Sequence, residues 1–240
     1  MHTRFLLLIA ALTLTLAGAT AAQADMLLWD NFLTANPAVD GGFDGNSYFS
    51  SERDAAVADS WAADDAVWDH TVQVQGIKWA GARDARFPYG NVEIIILSDQ
   101  GERSLSVVQQ YTLGQPPEIQ GTFCTFLGYQ VYDGFATIPD GGITLPAGHY
   151  YFGVRLVAGP NGDSDGRNLM LTTGTAGGVT TINGLTMGLF QSNTFPYPDW
   201  TLTQDTSPAI TTDFAFQLYG VPEPASLILL GVGVLLLRRR

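Results

Sequence analysis

The residues best placed to do chemistry lie in the segment NGDSDGRN, where oxygen-bearing side chains alternate before a glycine. Asn161, Asp163 and Asp165 occupy alternate positions, as ligands do in the first half of a calcium loop. The position where a bidentate glutamate would close the shell holds Thr172, and a strand-like run rather than a helix precedes the segment. We therefore interpret it as a solvated hairpin loop and keep the three residues as weak calcium candidates. No other metal or cofactor is predicted.

A second acidic group could supply paired carboxylates for catalysis. Asp64 and Asp65 are adjacent, and neighbours on a regular strand point to opposite faces, so they are not expected to face one substrate bond. We expect both to be solvated residues of a strand edge or turn. His70 and His149 are the candidates for proton transfer near neutral pH. Because G-x-S-x-G and H-E-x-x-H motifs are absent, the protein is predicted not to be an enzyme, with a glycan-active hydrolase as a third interpretation.

Aromatic side chains could bind a sugar, since flat rings stack against pyranoses while acidic groups accept hydrogen bonds from hydroxyls. In the segment FPYPDW, Pro196 and Pro198 stiffen a loop that carries Tyr197 and Trp200. These two rings are the candidate sugar contacts. The competing interpretation is that the tryptophans of this chain fill the core, as most tryptophans of β-sandwiches do.

The elements that must position these residues are strands. From Asp25 to Gly220, runs rich in Val, Ile, Thr, Phe and Tyr are separated by Gly, Asp, Asn and Pro about every ten residues. Only the alanine-rich segment after Ser51 could form one or two helical turns. We expect an all-β domain of about nine to eleven antiparallel strands, packed as a two-sheet β-sandwich that is jelly-roll-like or lectin-like.

Alternation predicts which side chains face the core. Val72 and Val74 share a face, and Ile77 and Trp79 return to it only if a bulge near Gly76 shifts the phase. Two later strands follow the same rule, and their core-facing residues are expected to be Tyr150, Phe152, Val154 and Leu156 in one and Phe214, Phe216 and Leu218 in the other.

The polar faces and the turns follow from the same pattern. In the last strand Asp213 and Gln217 should be exposed, because they alternate with the apolar residues. The dipeptides Asp133-Gly134 and Asn183-Gly184 each separate two strand-like runs, which predicts two hairpins with type I′ turns.

Composition narrows the class of protein. The formal net charge is −12, so the chain would repel phosphates and nucleic acid is excluded as a partner. The single cysteine, Cys124, cannot form an internal disulfide. It lies among phenylalanines and is expected to be a small buried side chain, with an intermolecular disulfide as the alternative.

The N-terminus carries a secretory signal peptide. A basic start is followed by an apolar run and then by small residues at Ala22 and Ala24, which is the pattern of a signal-peptidase site. We therefore assign residues 1–24 to the signal peptide and residues 25–220 to the β-sandwich domain.

The last twenty residues, VPEPASLILLGVGVLLLRRR, combine a Pro-Glu-Pro segment, an apolar run and three arginines. The run from Ala225 to Leu237 has 13 residues. A helix of that length spans about 20 Å, less than the roughly 30 Å hydrocarbon core of a bilayer. A core helix would need surrounding elements that the all-β body does not offer. We expect a short transmembrane helix whose arginines stay cytoplasmic, too short to be a permanent anchor.

This C-terminal order resembles the PEP-CTERM sorting signal of bacterial exported proteins. By position, Pro222, Glu223 and Pro224 match the recognition motif of that family within residues 221–240. The resemblance implies that a membrane exosortase recognises the tail, removes it and passes the body to the cell surface or the extracellular polysaccharide layer. The protein would thus be anchored in the membrane only transiently.

The body has a resemblance of its own. The segments LLWDN, ADSWAADDAVW and LPAGHYYFGV are similar to the recurring β-sandwich domain of such exported proteins, a family without a clear activity. We predict a non-enzymatic protein with a structural or adhesive role at the cell surface or in an exopolysaccharide biofilm matrix. A carbohydrate-binding module is the alternative, and extracellular polysaccharide is then the partner.

Overall fold

The computed structural model describes residues 26–31, 48–54, 58–84, 89–101, 104–114, 118–158, 167–173, 188–207, 209 and 212–222. Four predictions lie outside these ranges: the signal peptide with Ala22 and Ala24, the loop of Asn161, Asp163 and Asp165, the Asn183-Gly184 turn, and the segment that begins at Glu223 and includes Pro224. The described residues form strands and two short 3-10 turns, Pro139–Gly141 and Thr203–Asp205.

Eight strands form the first sheet: β1 (Met26–Asp30), β2 (Tyr48–Ser50), β5 (Val72–Arg83), β8 (Glu118–Phe126), β9 (Tyr129–Thr137), β10 (Ile143–Leu145), β12 (Asn168–Leu171) and β15 (Phe216–Pro222). The long strand β5 organises this sheet. One edge of β5 pairs with β15 and then β12, and the other edge pairs with β10 and then β9. β1 pairs with β15, β2 with β12, and β8 with β9.

Seven strands form the second sheet: β3 (Glu52–Asp54), β4 (Ala58–Trp68), β6 (Tyr89–Asp99), β7 (Leu105–Leu113), β11 (Gly148–Ala158), β13 (Leu189–Ser192) and β14 (Tyr197–Leu202). Their order is β14-β13-β4-β3-β11-β6-β7, and β4 also pairs directly with β11. The pairing of β3 with β11 is parallel, whereas the other pairs of this sheet are antiparallel.

The main core lies between the two sheets. Phe216 of the first sheet stacks on Phe152 of the second, with ring centroids 6.5 Å apart. Trp79 and Ile94, also from opposite sheets, belong to the same buried cluster. This packing confirms the prediction of an all-β body with two sheets.

The predicted faces of three strands are confirmed. The register between β15 and β5 passes from Gly76 to Val74, which leaves Gln75 as the extra residue of a bulge beside Gly76. The predicted core residues of β11 and of the last strand all belong to the main core: Tyr150, Phe152, Val154, Leu156, Phe214, Phe216 and Leu218.

The Asp133-Gly134 turn prediction is wrong, because both residues lie in the middle of β9. The two-residue turn comes earlier, at Leu127 and Gly128, whose φ angles of 53° and 83° suit a type I′ turn. Gly134 serves packing instead. It lies opposite Trp79, and a Cβ at this position would lie 2.2 Å from Cζ2 of the indole.

Two further expectations are corrected. The alanine-rich segment after Ser51 forms β3 and β4 rather than helical turns, because Ala62, Ala63 and Ala66 are completely buried between neighbouring strands. The described residues alone contain fifteen strands rather than nine to eleven, since several have only three or four residues and carry too short a pattern to be recognised.

Candidate functional site

The carboxyl groups of Asp64 and Asp65 lie near the middle of β4 and are buried, with 0% and 4% exposure. The expectation that they are solvated edge or turn residues is therefore wrong. Strand β13 pairs with β4 only as far as Ala63. Beyond that point Phe214 N donates to the Asp64 carboxylate, so the segment that contains Phe214 covers this part of β4.

Asp64 is held by three N–H donors. Besides Phe214 N, the backbone N–H of Asp65 donates to Oδ1 at 2.9 Å, and the Asn31 side-chain amide donates to Oδ2 at 3.0 Å. Burial raises the pKa of Asp64 well above its usual value, and repulsion from Asp213 and Asp65 raises it further, although the backbone donors act in the opposite direction. The group is thus hydrogen-bonded but carries like charges beside it.

Asp213 completes a cluster of three buried carboxyl groups. Carboxylate oxygens of Asp64, Asp65 and Asp213 lie within 4.8 Å of one another. The prediction that Asp213 is exposed is wrong, since its exposure is 6%. Burial, together with the charge of Asp65, raises the pKa of Asp213 to about 7. Two buried oxygens here have no hydrogen-bond partner in the described structure, Oδ1 of Asp213 and Oδ1 of Asn31.

His149 of β11 links this acidic cluster to the end of β6. Its Nε2 lies 2.8 Å from Asp65 Oδ2, and its Nδ1 lies 3.0 Å from Asp99 Oδ2. Burial lowers the pKa of His149, but the two carboxylates outweigh burial and the net pKa is raised. Both ring nitrogens face acceptors, an arrangement that the doubly protonated imidazolium satisfies.

A cleft of about 190 Å³ lies on the other side of Asp99. It is lined by the rings of Tyr151 and Trp200 and by the carboxyl groups of Asp99 and Asp205, with four further residues Leu105, Leu189, Thr201 and Leu202. Trp200 packs against the cluster that contains Tyr151 and Leu189. Aromatic faces beside carboxylates are the groups that sugar binding requires.

The two predicted sugar contacts occupy different surroundings. Tyr197 packs against the main core, with its ring 5.8 Å from that of Phe190, and its hydroxyl accepts a hydrogen bond from Ser207 N at 2.7 Å. Trp200 packs against the separate cluster beside the cleft. The structure therefore places Trp200, but not Tyr197, in the cleft wall.

The other tryptophans considered, together with His70 and Cys124, lie outside both the cleft and the acidic cluster. Trp61, Trp68 and Trp79 are buried, which agrees with the interpretation of tryptophans as core residues. His70 is exposed and pairs with its neighbour Asp69. Cys124 is half-buried against a small cluster of the first sheet.

An ion-pair network lies beside Trp61. Arg155 donates from Nε to Glu93 at 2.7 Å, and both side chains are almost completely buried. The guanidinium lies 4.0 Å from the centre of the Trp61 ring. Glu93 also pairs with Arg53 at 2.7 Å. The network neutralises buried charge on the second sheet and holds β6 against β11.

Fold and site together define the body as an all-β protein of two packed sheets with an acidic, aromatic-lined cleft. Comparison with family models identifies the PEP-CTERM protein-sorting motif at residues 220–240. The C-terminus therefore carries a PEP-CTERM sorting motif, which supports an exported protein that is sorted to the cell surface. The motif also implies processing by an exosortase and a transient C-terminal anchor.

Other comparisons add little about the body. No curated protein matches the chain. One similar solved structure contains the cysteine protease and lectin-like domains of Cwp84, a surface layer associated protein of Clostridium difficile. The identity is 12% and the TM-score 0.41, over 68% of this chain and 32% of that one, so this chain spans about a third of its length. Within the described ranges no helix is long and apolar enough to cross a membrane.

Proposed function

We propose that the body is a non-enzymatic structural or adhesive module that acts at the cell surface or in an exopolysaccharide matrix. The observation that supports this role is the direct connection between the sandwich and the sorting motif. Pro222 is the last residue of β15 and still pairs with Val72 of β5. No linker separates the folded body from the motif, so sorting would deliver the sandwich directly to the surface rather than on a flexible stalk.

Intact-mass measurement of the protein recovered from cells and medium tests the processing that this role requires. We expect a chain that begins at Asp25 and has lost the arginines at 238–240. An exosortase-deficient strain provides the control, since it should accumulate the precursor that still carries the C-terminal tail. Mature surface protein that retains Arg238, Arg239 and Arg240 would contradict the proposal.

A carbohydrate-binding module is the second candidate, and the cleft favours it. The partly exposed ring of Trp200 offers a stacking face beside the buried Tyr151, and Asp99 and Asp205 offer acceptors for sugar hydroxyls. The cleft volume of about 190 Å³ would hold a single sugar ring rather than a long oligosaccharide. The ligand of this interpretation is therefore a terminal or branching sugar of an extracellular polysaccharide.

Affinity electrophoresis through gels that contain defined polysaccharides separates these two candidates. If the cleft binds sugar, retardation should disappear in Trp200→Ala and persist in Tyr197→Phe, because the Tyr197 hydroxyl lies outside the cleft and bonds Ser207 N. Migration unaffected by every polysaccharide would favour the purely structural role. A hydrolase is the third candidate, and it would release reducing ends that Asp205→Asn abolishes.

A further inference from the structure

The three buried carboxyl groups of Asp64, Asp65 and Asp213 form an arrangement that the proposed surface role does not use. Oxygen atoms from all three lie within 4.8 Å of one another. We propose that these residues bind a calcium ion, with Oδ1 of Asn31 as a fourth protein ligand. The site is distinct from the calcium-like loop in the sequence and independent of sugar binding in the cleft.

Asn31, outside the three carboxyl groups, has an unpaired oxygen and lies beside them. Asn31 is 2% exposed, and its amide nitrogen contacts Oδ2 of Asp64, so its side-chain head lies at the cluster. Its Oδ1 is buried without a hydrogen-bond partner in the described structure. Rotation of the amide by half a turn brings this oxygen to the place where the nitrogen now faces Asp64. A cation at the cluster would favour that orientation, because the oxygen would then coordinate it.

Asp213, within the cluster, also has an oxygen atom without a hydrogen-bond partner. Its Oδ1 is buried and unpartnered, although a buried carboxylate normally accepts at least one hydrogen bond. The neighbouring carboxyl group of Asp65 adds repulsion when both groups are ionised. A divalent cation would remove both costs, since it would coordinate the free oxygen and neutralise two of the negative charges.

The donor set and its burial favour calcium. Carboxylate and amide oxygens are hard ligands, which suit Ca²⁺ and Mg²⁺ rather than zinc or copper. Mg²⁺ gives up its water molecules reluctantly and usually keeps several of them, whereas Ca²⁺ accepts a shell of protein oxygens. Since the three carboxyl groups and Asn31 are almost completely buried, the site favours Ca²⁺.

His149 would support the site from its surroundings. Its Nε2 contacts Oδ2 of Asp65, while Nδ1 is held by Asp99. A hydrogen bond from histidine to a ligating carboxylate fixes the orientation of that carboxylate. The cation would thus tie together β4, the residue that follows β1 and the segment before β15, which belong to both sheets.

Thermal unfolding of the purified protein tests the proposal, first in EGTA and then in a calcium titration up to several millimolar. The affinities of extracellular calcium modules lie at about 10⁻⁴–10⁻³ M. At about 5 mM calcium, which is about 5–50 times such a dissociation constant, we expect the Tm to rise by about 2–9 °C. Calorimetric titration should give one Ca²⁺ per chain, and Mg²⁺ should give a much smaller shift.

Two matched variants locate the site. Asp213→Asn removes a buried like charge whose Oδ1 has no partner, so the variant should fold in EGTA with a Tm at or above that of the wild-type chain. It should lose the rise in Tm with calcium. Asp165→Asn, in the calcium-like loop, should keep the full rise. The proposal is overturned if calcium leaves the wild-type Tm unchanged, if the rise persists in Asp213→Asn, or if magnesium acts equally well.

Discussion

Replacement of Gly134 by alanine should destabilise the sandwich, because the added methyl group has no free space. An ideal Cβ at Gly134 would lie 2.2 Å from Cζ2 and 2.3 Å from Cε2 of Trp79, which faces it from β5. The indole is poorly placed to retreat. Trp79 is 2% exposed, and its Nε1 donates to the hydroxyl of Tyr132 at 3.3 Å.

Two opposing terms determine whether Gly134→Ala raises or lowers the free energy of unfolding. Overpacking of a well-packed core costs about 1–3 kcal/mol. Loss of unfolded-state entropy on changing glycine to alanine would by itself stabilise by about 0.4–1 kcal/mol. Since separations near 2.2 Å require the backbone or the ring to move, we expect a net loss of about 2 kcal/mol, or about 4–8 °C in Tm.

Urea denaturation and thermal unfolding measure this loss. Gly114→Ala is the matched control, because a Cβ at Gly114 would meet nothing within 4 Å and should leave the stability unchanged or slightly improved. In a Trp79→Leu background, which removes the ring, Gly134→Ala should cost much less than in the wild-type chain. A stabilising Gly134→Ala, or an equal cost in both backgrounds, would refute the packing argument.

Three other substitutions and conditions test the buried polar groups. Arg155→Ala should lower the free energy of unfolding by about 1.5–3 kcal/mol in urea denaturation, because the buried Glu93 loses its hydrogen bond to Arg155 but keeps its pair with Arg53. Tyr132→Phe should cost about 1–2 kcal/mol through loss of the 2.7 Å hydrogen bond to Asn168, and a neutral effect would contradict the role of that bond. In EGTA, the pKa of Asp213 is raised in the folded protein, so folding favours the protonated carboxyl group. The stability that this group contributes is complete below about pH 4 and is lost as the pH rises through about 7. The advantage of Asp213→Asn over the wild-type chain should therefore grow with pH, and a constant difference would count against the shifted pKa.

Local alternation was sufficient to predict much of the fold. The faces of β5, β11 and β15 were predictable because each strand carries its own period of two, and even the bulge at Gly76 shows as a change of phase. The turn predicted at Asp133-Gly134 was wrong because of a contact that is distant in sequence. The glycine is needed for an indole about fifty residues away in sequence, and nothing adjacent to it reports that contact.

The acidic cluster was hidden for a similar reason. Asp64 and Asp65 are buried because the segment around Phe214 replaces β13 along β4, an event that depends on a contact across 150 residues. Nothing in the sequence around Asn31 indicates that its side chain lies beside these aspartates. The one available indication was that two adjacent aspartates interrupt a run of alanines in a segment with strand character. The sugar-contact hypothesis selected Trp200 from the segment FPYPDW, whereas its position beside Tyr151 depends on the order of strands in the sheet.

The pairing of β1 with β15 has a consequence for how the precursor sits on the membrane. Met26 lies opposite Gly220, so the first and last strands of the body leave the sandwich at the same corner. A leader before Met26 and a tail after Pro222 would therefore both be connected to the domain at this corner. The Leu127-Gly128 turn belongs to a different hairpin. A label or reporter is therefore better inserted at that turn than fused to either end, where it would crowd the corner that faces the bilayer.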